Sequence, residues 1–202
     1  MRTHSKLLMT ALAAAMLMAF AVGSASARTL SISNQQIRST FRSMEFGVEG
    51  LGTDRCDVTL EGSLHSRTIV KAVGTLLGYI TRVTTANCTL TTAILGVPWH
   101  VRYVSFSGTL PNITLLTVRV SRVSFSAASF GFVCLGEPEV EGNFNREAGG
   151  RLTDVRMTAI PAMPVRSGGG FGCPSSTGSF RAPEAGTVTQ LGNSNDISVT
   201  LI

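Results

Sequence analysis

The chain has 202 residues, of which 44% are hydrophobic and 14% are charged, and its formal net charge at pH 7 is +5. Two of its 17 basic residues, Arg2 and Lys6, lie in an N-terminal segment that we expect to be removed, which leaves 15 basic against 12 acidic residues. This mild excess contains no run of Lys or Arg, so nucleic acid is not an expected partner.

The first 27 residues are organised as a Sec signal peptide. A basic start precedes an apolar run over residues 7–22, and the small-residue motif Ala25-Ser26-Ala27 follows it. We therefore expect cleavage after Ala27 and secretion of residues 28–202 as a single domain. No later stretch approaches the ~20 apolar residues of a spanning helix, so no membrane span is expected in the mature chain.

The mature part contains four cysteines, Cys56, Cys88, Cys134 and Cys173. An even number in an exported chain predicts two disulfides, for which three pairings exist. We expect Cys56 to pair with Cys88 and Cys134 with Cys173, so that each bond links one half of the chain. A zinc site is the alternative to disulfides, but the cysteine spacing does not favour it because no C-x2-C pair occurs. We therefore expect neither a metal nor a cofactor.

Residues 94–127 predict one long antiparallel hairpin. Both arms are rich in β-branched and aromatic residues, and Thr109-Leu110-Pro111-Asn112 between them has the composition of a turn. The apolar positions change parity within each arm. This change predicts a twisted or bulged ribbon that serves one core with its outer half and another surface with its inner half.

A four-residue turn in this hairpin places Arg102 opposite Arg119, with His100 and Ser121 two positions along on the same face. A register slipped by one residue is the alternative. Two guanidinium groups this close destabilise the sheet unless a negative group lies between them. A glutamate from a neighbouring strand is the ordinary explanation, and an anion-binding site for a phosphate or carboxylate group is the functional one.

Most other segments alternate between apolar and polar residues, and turn residues recur every ~8–12 positions. This pattern predicts an all-β fold, a single antiparallel β-barrel or β-sandwich of about ten strands. Ile37, Phe41 and Met44 have helical spacing, which favours one short N-terminal helix over residues 34–44. Residues 161–186 have little periodicity and a glycine cluster, which is typical of a long loop tethered by Cys173.

The chemistry-bearing residues form no recognised catalytic motif. His65 and His100 are the histidines of the mature chain, and no G-x-S-x-G, H-E-x-x-H or P-loop pattern accompanies them. Carboxylates cluster around Asp54 and Asp57, where a local group of ion pairs is a better explanation than glycosidase chemistry. Three more alternate over residues 137–141, where a charged strand that protects a sheet edge is a better explanation than a calcium site.

The expected function is therefore a non-catalytic binding or structural role at the bacterial cell exterior, with a cell-surface component or a small ligand as partner. One alternative is a carrier of a small apolar ligand in a barrel cavity. The other is a secreted hydrolase that uses His65 or His100.

Three blocks of sequence carry a resemblance, CDVTLEGSLHSRTIVK from Cys56, GYIT from Gly78 and GVPWHVRYVSFSGTLPNIT from Gly96. Together they resemble a group of uncharacterised secreted all-β proteins from high-GC actinobacteria. The resemblance implies a bacterial source and carries no activity, cofactor or catalytic residue with it.

Overall fold

The computed structural model describes residues 29–109, 112–147 and 149–201. All helices and strands assigned in these ranges are strands, and none is a helix. The expected signal peptide lies outside the described residues and stays a prediction. The sixteen strands are β1 (Thr29–Ile32), β2 (Gln36–Val48), β3 (Gly52–Leu64), β4 (Thr68–Val70), β5 (Leu76–Ala86), β6 (Thr91–Leu95), β7 (Trp99–Thr109), β8 (Asn112–Ser121), β9 (Ser124–Ser129), β10 (Phe132–Gly136), β11 (Val140–Arg146), β12 (Leu152–Met157), β13 (Ile160–Gly170), β14 (Thr177–Arg181), β15 (Gly186–Gln190) and β16 (Val199–Leu201).

Eight strands close into an antiparallel barrel in the order β2-β3-β5-β7-β8-β11-β12-β15. The ring closes because β15 pairs with the first half of β2, from Thr187 opposite Thr40 to Gln190 opposite Ile37. Closure leaves these eight strands without a free edge over the paired length. The predicted all-β fold is confirmed, and of the two expected architectures the core of the molecule is a barrel.

The second half of β2 leaves the barrel and begins another sheet. It pairs with β14, from Glu45 opposite Arg181 to Val48 opposite Gly178. The sheet then continues through β13, β10 and β9 to β6. Because β2 belongs to both sheets, the barrel and its extension share one hydrophobic core.

A bulge in β2 explains why the predicted helix over residues 34–44 is wrong. The pairing of β2 with β3 shifts between Phe41 and Met44, where Ser43 has a φ of 50°. The extra residue reverses the alternation, so Phe41 and Met44 are both buried although three positions separate them. A bulged strand therefore produced the same apolar spacing as an amphipathic helix.

The predicted central hairpin is present as β7 and β8, with Arg102 opposite Arg119 and His100 opposite Ser121. A register shift occurs between Tyr103 and Ser105. The pairs that follow it, beginning with Ser105, are moved by one residue relative to the expected pairing. On the other side the two arms continue as β6 and β9, which pair with each other in the second sheet. The stretch predicted as one hairpin therefore contributes strands to both the barrel and the second sheet.

The expected long loop over residues 161–186 is wrong, because this segment contains most of β13 and all of β14. Met163 and Val165 are buried in alternation at the start of β13. Glycines follow, and a Cβ atom on Gly168 would lie 2.8 Å from Val133 and 3.0 Å from Leu135. The side chains of the neighbouring strand take the space, so the segment lacks the alternation by which a strand is recognised.

A three-stranded sheet of β16, β1 and β4 completes the described fold. Its apolar side chains belong to the common core, and Leu30, Ile197 and Val199 have no exposed surface. Arg146 of β11 fastens this sheet to the barrel, since its guanidinium donates to the carbonyl of Val199 at 2.7 Å and to that of Ile113 at 2.8 Å.

Both expected disulfides are confirmed, Cys56–Cys88 and Cys134–Cys173. The first ties β3 to the segment before β6, and the second ties β10 to the connection between β13 and β14. Two disulfides are typical of a protein that works in an oxidising environment. Among the described residues, no helix has the length and apolar character needed to cross a membrane.

Candidate functional site

The barrel encloses a cavity of about 70 Å³. Its wall is predominantly apolar because alternate residues of each strand point inward. The apolar side chains of this wall include Ile37, Leu60, Ile80, Val118, Phe144 and Val155. Ser39, Ser63 and Tyr79 are the lining residues that carry a hydroxyl group. Such an interior selects a ligand by shape and apolarity, with few hydrogen bonds to orient it.

A smaller cavity of about 30 Å³ lies between the barrel and the second sheet. Its wall is rich in aromatic side chains, including Phe46, Trp99, Phe125 and Phe180. Leu60, Val120 and Met157 line both cavities and therefore separate them. Met157 is the most adaptable of the three, since an unbranched thioether side chain has several rotamers of similar energy.

Gly142 marks a point where the wall of the larger cavity has no side chain. A Cβ atom built there would lie 3.6 Å from Val155 and 3.7 Å from the sulfur of Met157, both ordinary van der Waals distances. The backbone of Gly142 is also compatible with other residues, because its φ lies outside the left-handed region. A larger side chain at this position would project into the cavity.

The four residues of the predicted anion site lie together on adjacent strands. Arg119 donates from Nη2 to Oε1 of Glu141 at 2.8 Å, and Glu141 is its direct partner on β11. This bond raises the pKa of Arg119 above its ordinary value. Arg102 instead donates from Nη1 to the carbonyl of Gly74 at 2.9 Å. The glutamate of the neighbouring strand therefore pairs with Arg119 and does not bridge the two arginines, and anion binding stays a prediction.

The two histidines belong to a row of rings across the same region. The ring of Tyr79 lies 4.9 Å from that of His65 and 5.1 Å from that of His100, centroid to centroid. Desolvation, followed by the charges of Arg122 and Arg102, lowers the pKa of His100. These cations disfavour the imidazolium that a catalytic base must form. Within the described part of the chain, no hydrogen bond or ion pair joins either histidine to a carboxylate, and the ring contacts of both are those with Tyr79.

The clustered carboxylates have protein partners. Asp57 accepts hydrogen bonds from Asn87 at 2.7 Å and from the backbone of Ser43 at 3.1 Å, and both contacts lower its pKa. Glu61 pairs with Arg38 and Arg82.

The alternating glutamates of residues 137–141 are engaged in a similar way. Glu137 pairs with Arg166 at 2.5 Å and Glu141 with Arg119. The expected edge-protecting strand is wrong, because the strand that carries Glu141 lies between β8 and β12 inside the barrel wall. The ion-pair interpretation therefore fits these residues better than a calcium site.

One group among the described residues has a spacing compatible with a metal, Asp54 with Cys56 and Cys88. The two sulfurs are bonded to each other, so they cannot act as thiolate ligands. Asp54 is itself fully buried and accepts hydrogen bonds from Leu90 and Thr89. This group is structural and does not fit a zinc ion.

The interior side chains were not singled out as a site by sequence reasoning. Alternation in segments such as residues 58–60 and 118–120 identifies an apolar face, but the face lines a cavity only because β15 closes the ring. The fold and its interior together define the class of protein. It is an eight-stranded antiparallel β-barrel that contains an apolar cavity and is extended by a second sheet. Comparisons with protein-family models, curated proteins and solved structures find no match for the chain.

Proposed function

We propose that this chain is an exported, non-catalytic binding protein whose barrel interior receives a small apolar ligand. The observation that carries the proposal is the apolar cavity inside a closed eight-stranded barrel. Barrels of eight strands are wide enough either to be filled by their own side chains or to hold one small ligand. Here space remains after packing, and the lining offers few polar groups that would need a polar ligand.

The volume limits the ligand. Cavities for drug-sized molecules are about 300–1,000 Å³, and the cavity inside the barrel measures about 70 Å³. A ligand of a few carbon atoms fits with small adjustments of the lining. A longer one requires movement of Met157, which would join the two cavities into one channel between the barrel and the second sheet.

The cellular setting of the proposal is the bacterial cell exterior. The two disulfides support an oxidising compartment. The signal-peptide pattern of residues 1–27 supports export through the Sec route. N-terminal sequencing of the protein recovered from culture medium tests this part, and we expect the chain to begin at Arg28. Recovery of Met1 on a membrane-bound product would contradict export with cleavage.

Gly142 provides the test of the cavity. Saturating toluene is expected to raise the melting temperature of the parent protein, because a ligand that binds the folded state alone stabilises it by about 2.7 kcal/mol at 100 times its Kd. Gly142→Leu should lose this response by filling the cavity, whereas Gly142→Ala, whose methyl group fits at ordinary distances, should keep most of it.

Val118→Ile is a second variant that fills the cavity, so the test does not depend on correct folding of Gly142→Leu. Native mass spectrometry of protein from its own host would identify a retained ligand. If toluene shifts the parent and the filled variants equally, or shifts none of them, the interior does not bind. The carrier proposal would then be wrong, and a structural role would remain.

A further inference from the structure

Two phenylalanines project from the far end of the second sheet. Phe130, in the turn between β9 and β10, is 94% exposed, and Phe171, just after β13, is 80% exposed. The turns that carry them are adjacent, because Phe132 pairs with Gly170 where β10 meets β13. We call residues 130–132 and 170–172 the aromatic tip.

The ring of Phe171 is held in place by the residues of the opposite turn. The ring of Phe171 lies over Gly131, where a Cβ atom would fall 2.7 Å from the ring, and its centroid is 5.9 Å from that of Phe132. Behind them the Cys134–Cys173 disulfide joins the two segments. The apolar surface is therefore presented in a fixed arrangement, with little ordering left to occur when it binds.

Backbone groups of the aromatic tip bond to one another. The amide of Phe171 donates to the carbonyl of Gly131 at 2.9 Å, and that of Val133 donates to the carbonyl of Gly172 at 2.9 Å. The amide of Gly172 donates to Gly169 at 3.1 Å. A peptide group that leaves water without a partner costs several kcal/mol in hydrocarbon. These bonds remove much of that cost from the segments that carry the phenylalanines.

The sequence around the aromatic tip contains no charge. No Asp, Glu, Lys or Arg occurs between Val123 and Gly136 or between Ser167 and Phe180. Elsewhere the surface carries many ion pairs. A rigid, uncharged end with two exposed phenylalanines and bonded backbone matches the requirements of the boundary between lipid headgroups and acyl chains. A protein partner would usually need a polar rim with hydrogen-bonding side chains around such a centre.

We propose that the aromatic tip docks the protein on a lipid bilayer by inserting Phe130 and Phe171 at the level of the headgroup boundary. The surface charge of the membrane contributes little to this docking, since the inserted end is neutral. Membrane docking is independent of the barrel cavity: it needs only the second sheet, its disulfide and the two side chains.

Sedimentation with vesicles of pure phosphatidylcholine, in low and high salt, tests the proposal. We expect the parent protein to bind, with an affinity that changes little with salt or with added phosphatidylglycerol. Each of Phe130→Ser and Phe171→Ser should lower the partition coefficient about tenfold, and the double variant about a hundredfold. Val73→Ser is the matched control, because Val73 is 81% exposed on a turn outside the aromatic tip.

A fluorescence measurement locates the inserted residue. Phe171→Trp should gain blue-shifted emission on addition of vesicles, over the constant background of Trp99, which is 5% exposed. Equal melting temperatures of parent and variants show that the fold is intact. The proposal is overturned if the parent does not bind the vesicles, if the double variant binds as well as the parent, or if the tip instead joins two copies of the protein without lipid.

Discussion

Arg102 and Arg119 lie directly opposite each other on β7 and β8, and their guanidinium groups bond in different places. Arg119 bonds to the carboxylate of Glu141, and Arg102 bonds to the carbonyl of Gly74. The charge of Arg119 is thereby balanced by a carboxylate. The carbonyl that accepts from Arg102 carries no full negative charge, so the charge of Arg102 is not balanced by its partner. Desolvation, and after it the charges of Arg122 and Arg102, lowers the pKa of the nearby His100.

This asymmetry gives the anion prediction a sharper form. Phosphate or sulfate is expected to raise the melting temperature of the parent protein by binding where Arg102 and Arg119 meet. Arg102→Ala should abolish that rise, because it removes the arginine that has no carboxylate partner, while Arg67→Ala, which removes an exposed arginine elsewhere, should keep it. Equal shifts in all three proteins, or none in any, would leave an ordinary ion pair on the barrel surface.

The carboxylate of Glu45 joins three strands. It accepts hydrogen bonds from Arg55 of β3 at 3.0 Å and from Arg181 of β14, and its side chain is only 10% exposed. The bond from Arg181, and then the one from Arg55, lower the pKa of Glu45 below its ordinary value of 4.5, against the opposing effect of burial. Folding therefore favours the ionised form of this group.

Stability that depends on a lowered pKa is complete above the pKa of the unfolded chain and is lost as the pH falls through the folded value. Glu45→Gln should accordingly lower the free energy of unfolding by about 1–2 kcal/mol at pH 7. The difference from the parent should shrink below pH 4.5. Urea unfolding across this range measures it, with Glu49→Gln, an exposed glutamate of the next turn, as control. A difference that does not change with pH would contradict the role of the charge.

Local pattern was sufficient to predict much of this fold and misled at two places. Alternation and turn residues located the hairpin of β7 and β8 and its arginine pair, because both depend on neighbours close in sequence. The bulge at Ser43 gave a strand the apolar spacing of a helix, so a helix was predicted there. The glycines of β13 hid a strand, since their function is to leave space for Val133 and Leu135.

The candidate sites depend on contacts between distant parts of the chain. The barrel cavity exists because Thr40 pairs with Thr187, and no local pattern relates these two residues. The aromatic tip depends on Gly131 meeting Phe171, which the pairing of β10 with β13 brings about. Alternation alone predicts that a residue faces a core and cannot predict which strands enclose that core.

The two disulfides should stabilise separate parts of the molecule. Cys56–Cys88 spans a separation of 32 residues and Cys134–Cys173 one of 39, so each should contribute about 3–4 kcal/mol by restricting the unfolded chain. Cys134→Ser with Cys173→Ser should loosen the aromatic tip and leave the barrel folded. Hydrogen exchange would show this as faster exchange in β10 and β13 alone. Uniformly faster exchange would mean that the second sheet is required for the barrel.

Asp54 fastens the segment before β6 to the start of β3. Its Oδ1 accepts hydrogen bonds from the backbone of Leu90 at 2.8 Å and from the hydroxyl of Thr89 at 3.1 Å, and its Oδ2 accepts one from the hydroxyl of Thr92. Side-chain bonds thus take the place of a backbone ladder between β6 and β3, next to the Cys56–Cys88 disulfide.

Asp54→Ala should therefore destabilise the protein far more than its position near the end of a strand suggests. The side chain has no exposed surface, and its removal takes the acceptor away from the half-buried amide of Leu90 and hydroxyl of Thr92. The hydroxyl of Thr89 would keep its bond from the amide of Arg55. We expect a loss of about 3 kcal/mol or more in the free energy of unfolding. Asp57→Ala is the matched control, since Asp57 lies on the same strand and accepts two hydrogen bonds in a more exposed setting. Similar losses for the two variants, measured by urea unfolding, would show that Asp54 does not hold the second sheet against β3.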